Sequence, residues 1–168
     1  MSEQIFSLLA AEHRVLERAL SEATADPERI DAEKYAAFRA SLLRHIAAEE
    51  KILIPAAKAV SEAILPLAKK IRADHGAITA LLAPPPSPTI VRALRAILET
   101  HDVLEEGPGG LYDRCQLLVS GRVEELLSRM HAAPEVPVSP HAQGTEVIDS
   151  VRRILARAGY NLARFEHS

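Results

Sequence analysis

The sequence predicts an all-α protein, and three observations carry the prediction. Glycine is scarce, with seven in 168 residues and almost none before Gly107, while Ala, Leu, Ile, Glu and Arg dominate over β-branched and aromatic types. The prolines, at Pro27, Pro55, Pro66, Pro84 to Pro86, Pro88, Pro108, Pro134, Pro137 and Pro140, cut the chain into helix-length pieces. Within those pieces apolar residues recur every three or four positions, the period of one helix face.

The first segment, residues 2–23, opens at Ser2 and carries Ile5, Leu9, His13, Leu16 and Leu20 on one stripe; Asp26-Pro27 ends it. Asp31 is a fitting N-cap for a second helix running to about residue 65, with Tyr35, Phe38, Leu42, His45, Glu49, Ile52 and Ala56 on its stripe. Pro55 should kink or break that helix one turn after Glu49, because it lacks an N–H and clashes with the preceding turn. A third helix, 67–82, presents Ile71, His75, Ile78 and Leu82. A fourth, 89–106, presents Ile90, Leu94, Ile97, His101, Leu104 and Glu105. After the break at Gly107 to Gly110, a fifth helix is expected over 111–131, with Leu111, Cys115, Leu118, Val119, Leu126 and Leu127 apolar. Residues 132–144 read as a linker, and 145–158 as a last amphipathic helix stopped by Gly159. The expected organisation is a bundle with a fifth helix over 1–131, the linker, and a C-terminal helix and tail over 145–168.

Composition narrows the function classes. Twenty basic residues against 23 acidic ones, intermixed, leave a net charge of -3 and no electrostatic reason to expect nucleic acid. No apolar run approaches the roughly 20 residues that cross a bilayer, so no membrane partner is expected. A lone cysteine, Cys115, and the polar start MSEQ point to a cytoplasmic protein. Seven histidines in so small a chain remain to be explained.

Four of them sit in the apolar stripes. If consecutive helices run antiparallel, residues at equal height lie symmetrically about the turn between them. The midpoint of His13 and His45 is Arg29, that of the His45/Glu49 pair and His75 is Ser61, and that of His75 and the His101/Glu105 pair is Thr89. Each lies in or beside an expected turn, with misses of at most ~5 residues, or roughly 7 Å at 1.5 Å per residue. Four helices therefore aim His13, His45, Glu49, His75, His101 and Glu105 at one level.

The sequence His-x-x-x-Glu-Glu occurs at 45–50 and again at 101–106, and positions i and i+4 share a helix face. Buried without a cation, such a layer would cost several kcal/mol per unpaired charge. A metal supplies the missing positive charge. With no thiolates, mixed imidazole and carboxylate donors suit iron or manganese rather than a structural zinc site. Six donors divide naturally between two ions, each with two imidazoles, while Glu49 and Glu105 bridge; positions remain for dioxygen, nitric oxide or peroxide.

These residues resemble the hemerythrin-like, or HHE cation-binding, family. The resemblance rests on Glu12-His13, on His45-x-x-x-Glu49-Glu50-Lys51-Ile52-Leu53-Ile54-Pro55, on Asp74-His75 and on His101-x-x-x-Glu105-Glu106, and covers about residues 3–115. It implies an up-down-up-down four-helix bundle, here with additional C-terminal helices, holding a non-haem centre of two iron ions; manganese or zinc are the expected substitutes. Thr79 stands where oxygen-carrying hemerythrins place a second histidine, and Glu105 lies four rather than five residues beyond its histidine. The resemblance thereby implies reactivity or sensing rather than oxygen carriage. The ligand set is also similar to that of di-iron proteins that repair iron-sulfur clusters. Ferritin-like bundles use Glu-x-x-His, the reverse order.

Three functions follow as expectations. The first is binding or sensing of a small diatomic ligand or peroxide, the second is di-iron oxidoreductase or iron-donor activity, and the third is an interaction module in which residues 145–158 meet a protein partner. A monomer or a homodimer suits each. Among secondary candidates, Glu17 could be an extra ligand, and Asp74 or Asp102 could accept a ring N–H from a ligand histidine. Tyr35, Phe38 and Cys115 read as core, and His131, His141 and His167 as solvent-exposed.

Overall fold

A computed structural model describes residues 3–166. The first four long segments form an up-down-up-down bundle: α1 (Ile5–Ala23), α2 (Ala32–Ala48), α4 (Leu65–Leu81) and α5 (Pro88–Glu106), with α3 (Ile54–Val60) continuing α2. The fold is all-α, with no strand among the described residues. Asp31 caps α2 as expected, its side chain accepting from the Glu33 and Lys34 amides, and Ser87 caps α5 through the Ile90 amide. The expected start at Ser2 lies outside the described residues.

Pro55 acts one turn earlier than its own position. The chain widens into a π-helical turn over Glu49–Leu53, in which the Ile54 amide reaches back to the Glu49 carbonyl, and α3 then restarts with Pro55 in its first turn. The extra residue relieves the clash that proline would make in a continuous α-helix. The second helix ends at Val60, short of residue 65, because Ser61 takes an extended conformation and caps a 3₁₀ turn through the Ala63 amide.

The expected fifth helix is two: α6 (Leu111–Leu118) and α7 (Val123–His131), separated by a 3₁₀ turn at Ser120–Arg122 that contains Gly121. Continuous apolar spacing masked the break. Residues 132–144 are irregular but tied down, with Arg44 donating to the Ala133, Met130 and His131 carbonyls, Arg39 to Ser139 and the Ala142 amide to Ala83. The helix α8 (Thr145–Arg157) then packs on α4 and buries Val151 and Leu155.

The apolar interior is divided. One cluster holds Leu16, Leu20, Tyr35, Phe38, Leu42, Ile78, Leu81, Leu94 and Ile97 together with Val151 and Leu155 of α8. The other holds Ile5, Leu9, Leu53, Ile54, Ile71, Leu111, Tyr112, Cys115 and Leu126. On α1, α4 and the start of the π turn, the ionisable residues fall between the two. No helix of the described residues is long and apolar enough to cross a membrane.

Candidate metal centre

The six residues singled out by the stripe argument all meet between the two apolar clusters. His13, His45, Glu49, His75, His101 and Glu105 are at most 5% exposed, and both glutamates are fully buried. His13 Nε2 and His45 Nε2 are 2.9 Å apart, His45 Nε2 lies 3.2 Å from Glu49 Oε1, and His101 Nε2 lies 3.0 Å from Glu105 Oε1. His75 Nε2 is 3.2 Å from Glu49 Oε2 and 3.7 Å from Glu105 Oε1. Two donor groups result, His13/His45/Glu49/Glu105 and Glu49/His75/His101/Glu105, and the two glutamates belong to both.

Each imidazole turns Nε2 inward and Nδ1 outward to a carboxylate on another helix. Glu12 of α1 faces His45 of α2 at 2.6 Å, and Glu50 of the π turn faces His75 of α4 at 2.8 Å. Asp74 of α4 faces His101 of α5 at 3.4 Å, and Glu106 of α5 faces His13 of α1 at 2.6 Å, which closes the ring. The geometry follows from helix pitch: a residue next to an inward-pointing one is rotated by about 100° and points at the neighbouring helix. Such acids fix the orientation of a ligand histidine and raise its basicity.

Electrostatics agree. Burial disfavours charge on His45, yet the neighbouring Glu49 and Glu12 outweigh it and raise its pKa to about 10. Burial is likewise outweighed at His75 by Glu105, Glu49 and Glu50, giving about 11, and at His101 by Asp74 and Glu105, giving about 9. Glu49 and Glu105 are raised by burial and lowered further by the imidazoles, so both are held below the usual carboxylate range.

One member of the site came from outside the four stripes. Tyr112 of α6 is fully buried, and its Oη donates to Glu49 Oε1 at 2.5 Å and Glu105 Oε2 at 3.0 Å, while lying 2.9 Å from His13 Nε2. Burial and the two carboxylates push its pKa well above the phenol range. Gly110 makes this possible, because a Cβ there would lie 2.6 Å from the Leu104 carbonyl oxygen and 2.7 Å from that of Glu105. The glycines before it in sequence are the one signal that α6 turns back tightly onto α5.

Other expectations fare differently. Asp74 does accept from a histidine, whereas Asp102 lies 3.6 Å from His13 Nδ1 and yields the closer place to Glu106. Glu17 is exposed beside Arg14 and is not in the cluster. Thr79 is exposed, since Ile71, Asp74, His75 and Ile78 carry the inner face of α4, and it therefore lines no part of the layer. His131 is exposed and paired with Glu3; His141 is only half-exposed, its ring 6.2 Å from that of Tyr35, and His167 lies outside the described residues. Cys115, Tyr35 and Phe38 are core.

The donors fit a cation. Glu49 Oε2, His75 Nε2 and Glu105 Oε1 are buried without a hydrogen-bond partner, and buried polar atoms of this kind normally have one. The His13–His45 nitrogen separation of 2.9 Å also suits two neighbouring ligands on one ion, whose bonds to imidazole run to about 2.0–2.1 Å. The model of the hemerythrin HHE cation-binding domain matches residues 4–107. The chain belongs to that family. The hemerythrin match contains all six inward donors and all four outer acids, but Tyr112 and everything from α6 onward lie beyond it. No curated protein and no solved structure matched the chain.

Proposed function

We propose that this hemerythrin-family chain is a non-haem di-iron protein that binds, senses or reacts with dioxygen, nitric oxide or peroxide. His13 and His45 would hold one ion and His75 and His101 the other, with Glu49 and Glu105 shared. The observation that carries this reading is the pair of donor groups joined at two fully buried carboxylates. Iron, when bound, supplies one-electron redox change and open coordination positions. Manganese or zinc would suit the donors but not all of that chemistry.

The chain's own residues supply the rest. Glu12, Glu50, Asp74 and Glu106 hold the imidazole orientations, and Tyr112 keeps a proton at Oη between Glu49 and Glu105. A cavity of about 490 Å³, lined mainly by α1 and α5, includes His13, His45 and His101 among its walls, with Leu20, Leu42 and Ile78 keeping part of it apolar. It gives a small uncharged ligand a way in. The apolar face that made α8 a candidate for partner binding is spent on α4, which favours the ligand-binding reading over an interaction module.

The test is selective loss. The variant with both His45→Ala and His101→Ala should retain no pair of ions after iron-replete expression, measured by elemental analysis, while His141→Ala should load like the parent. Full loading of the double variant would overturn the assignment.

A further inference from the structure

The four outer acids are not equivalent. Glu106, Glu12 and Glu50 approach their imidazoles to 2.6, 2.6 and 2.8 Å and keep side-chain exposures of 21%, 31% and 34%. Asp74 is fully buried, yet its Oδ2 stays 3.4 Å from His101 Nδ1. Its other oxygen explains the difference. Oδ1 accepts from Lys70 Nζ at 2.6 Å and from Tyr160 Oη at 2.9 Å.

Tyr160 belongs to the C-terminal segment beyond the family match, and that segment is built to deliver it. Val151 and Leu155 anchor α8, and Gly159, at φ +92°, reverses the chain in a conformation that side chains disfavour. The Tyr160 amide then closes on the Leu155 carbonyl at 2.8 Å. Downstream, Leu162 is buried and Arg92 donates twice to the Phe165 carbonyl, at 2.6 and 3.0 Å. The Lys70 ammonium lies 5.1 Å from the Tyr160 ring centre, so both donors to Asp74 also hold each other.

We infer that Tyr160 is a positioning residue of the candidate metal centre: with Lys70 it draws Asp74 away from His101 and makes His101 the least firmly supported of the four imidazoles. A carboxylate that shares its charge with an ammonium and a phenol has less to give the imidazole opposite, and a ligand histidine's basicity follows the strength of that outer hydrogen bond. The C-terminal segment thereby sets His101 apart: Arg14 also donates to Glu106 Oε1, at 2.7 Å, yet Glu106 keeps its 2.6 Å approach to His13, whereas Asp74, fully buried and shared by Lys70 and Tyr160, stays 3.4 Å from His101. The inference rests on the proposed metal-binding role of His101.

The experiment uses the full chain loaded with Zn²⁺ as a diamagnetic probe, and reads the His101 Nδ1–H proton by nuclear magnetic resonance in the parent and in Tyr160→Phe. Losing the phenol donor should move that proton downfield while the His75 Nδ1–H, held by Glu50, stays in place. In iron-loaded protein the midpoint potential should fall, because a more basic imidazole favours the ferric state. Lys70→Gln removes the other donor from the same oxygen while leaving the Tyr160 hydroxyl in the chain, and should shift both readouts the same way. An unmoved or upfield-shifted His101 proton in both variants, with only a lower melting temperature, would reduce Tyr160 to a packing residue and overturn the inference. A parent chain that takes up neither zinc nor iron would instead overturn the proposed function, and the His101 proton can still be compared in the metal-free chains.

Discussion

Each of the four candidate ligand histidines is held by a residue one helix away. Glu12 supports His45, Glu50 supports His75, Asp74 supports His101 and Glu106 supports His13, so removal of one acid should be felt by an imidazole on a different helix. Glu50→Ala is expected to cost roughly 10–100-fold in affinity for iron or zinc, read by chelator competition. Tyr112→Phe strips the donor from Glu49 Oε1 and Glu105 Oε2. In chelator-treated protein it should lower unfolding free energy by about 1–3 kcal/mol, the cost of leaving buried acceptors unpaired, as measured by urea titration. His45, Glu49, His101 and Glu105 were legible in the sequence because both His-x-x-x-Glu repeats obey helical spacing, and His13 and His75 because they stand in apolar stripes at matching height about the turns. The roles of Glu12, Glu50 and Glu106 were not, although they stand beside those donors, because which histidine each serves depends on which helix is adjacent. Tyr112 was hidden for a related reason: it reaches the layer from α6, which packs on α1, α3 and α5 from outside the four stripes, and no stripe periodicity marks it.

At the scale of elements, proline and glycine decide where the donors point. The π turn at Glu49–Leu53 absorbs Pro55 and holds both Glu49, aimed inward, and Glu50, aimed at His75. The sequence located that disturbance but not its form, since a kink, a break and one extra residue per turn all satisfy a proline. The fifth helix was overextended for a complementary reason, in that Ser120 and Gly121 interrupt a run whose apolar spacing continues across them. Gly110 has no such latitude. Gly110→Ala forces a Cβ against backbone oxygens at 2.6–2.8 Å, which must push α6 away from α5. The expected outcome is a clear loss of thermal stability together with exposure of Tyr112, visible as a change in its ultraviolet absorption; Gly121→Ala, which meets nothing within 4 Å, serves as the neutral control.

For the molecule as a whole, the polar layer separates two apolar clusters, and α8 belongs to the packing of one of them. Leu155 is fully buried, so Leu155→Ala should cost about 2–5 kcal/mol and release α8, seen as faster amide exchange over residues 145–157. The bundle was legible from stripe periodicity and from midpoints, at Arg29, Ser61 and Thr89, that fall in or beside the turns. The docking of α8 on α4 was not, because an amphipathic helix after a linker carries no address for its apolar face. The layer's own cost is the larger question. Four histidines and three carboxylates brought into the interior make sense if a cation offsets them, so loading should raise the melting temperature and chelation should lower it.

The most direct measurement is an anaerobic ferrous titration of the metal-free full chain followed by elemental analysis. Two ions per chain, bound by the parent and lost when His45 and His101 are replaced, is the result expected from the two donor groups that share Glu49 and Glu105. Saturation at one ion, or no uptake while all six side chains are intact, would contradict it.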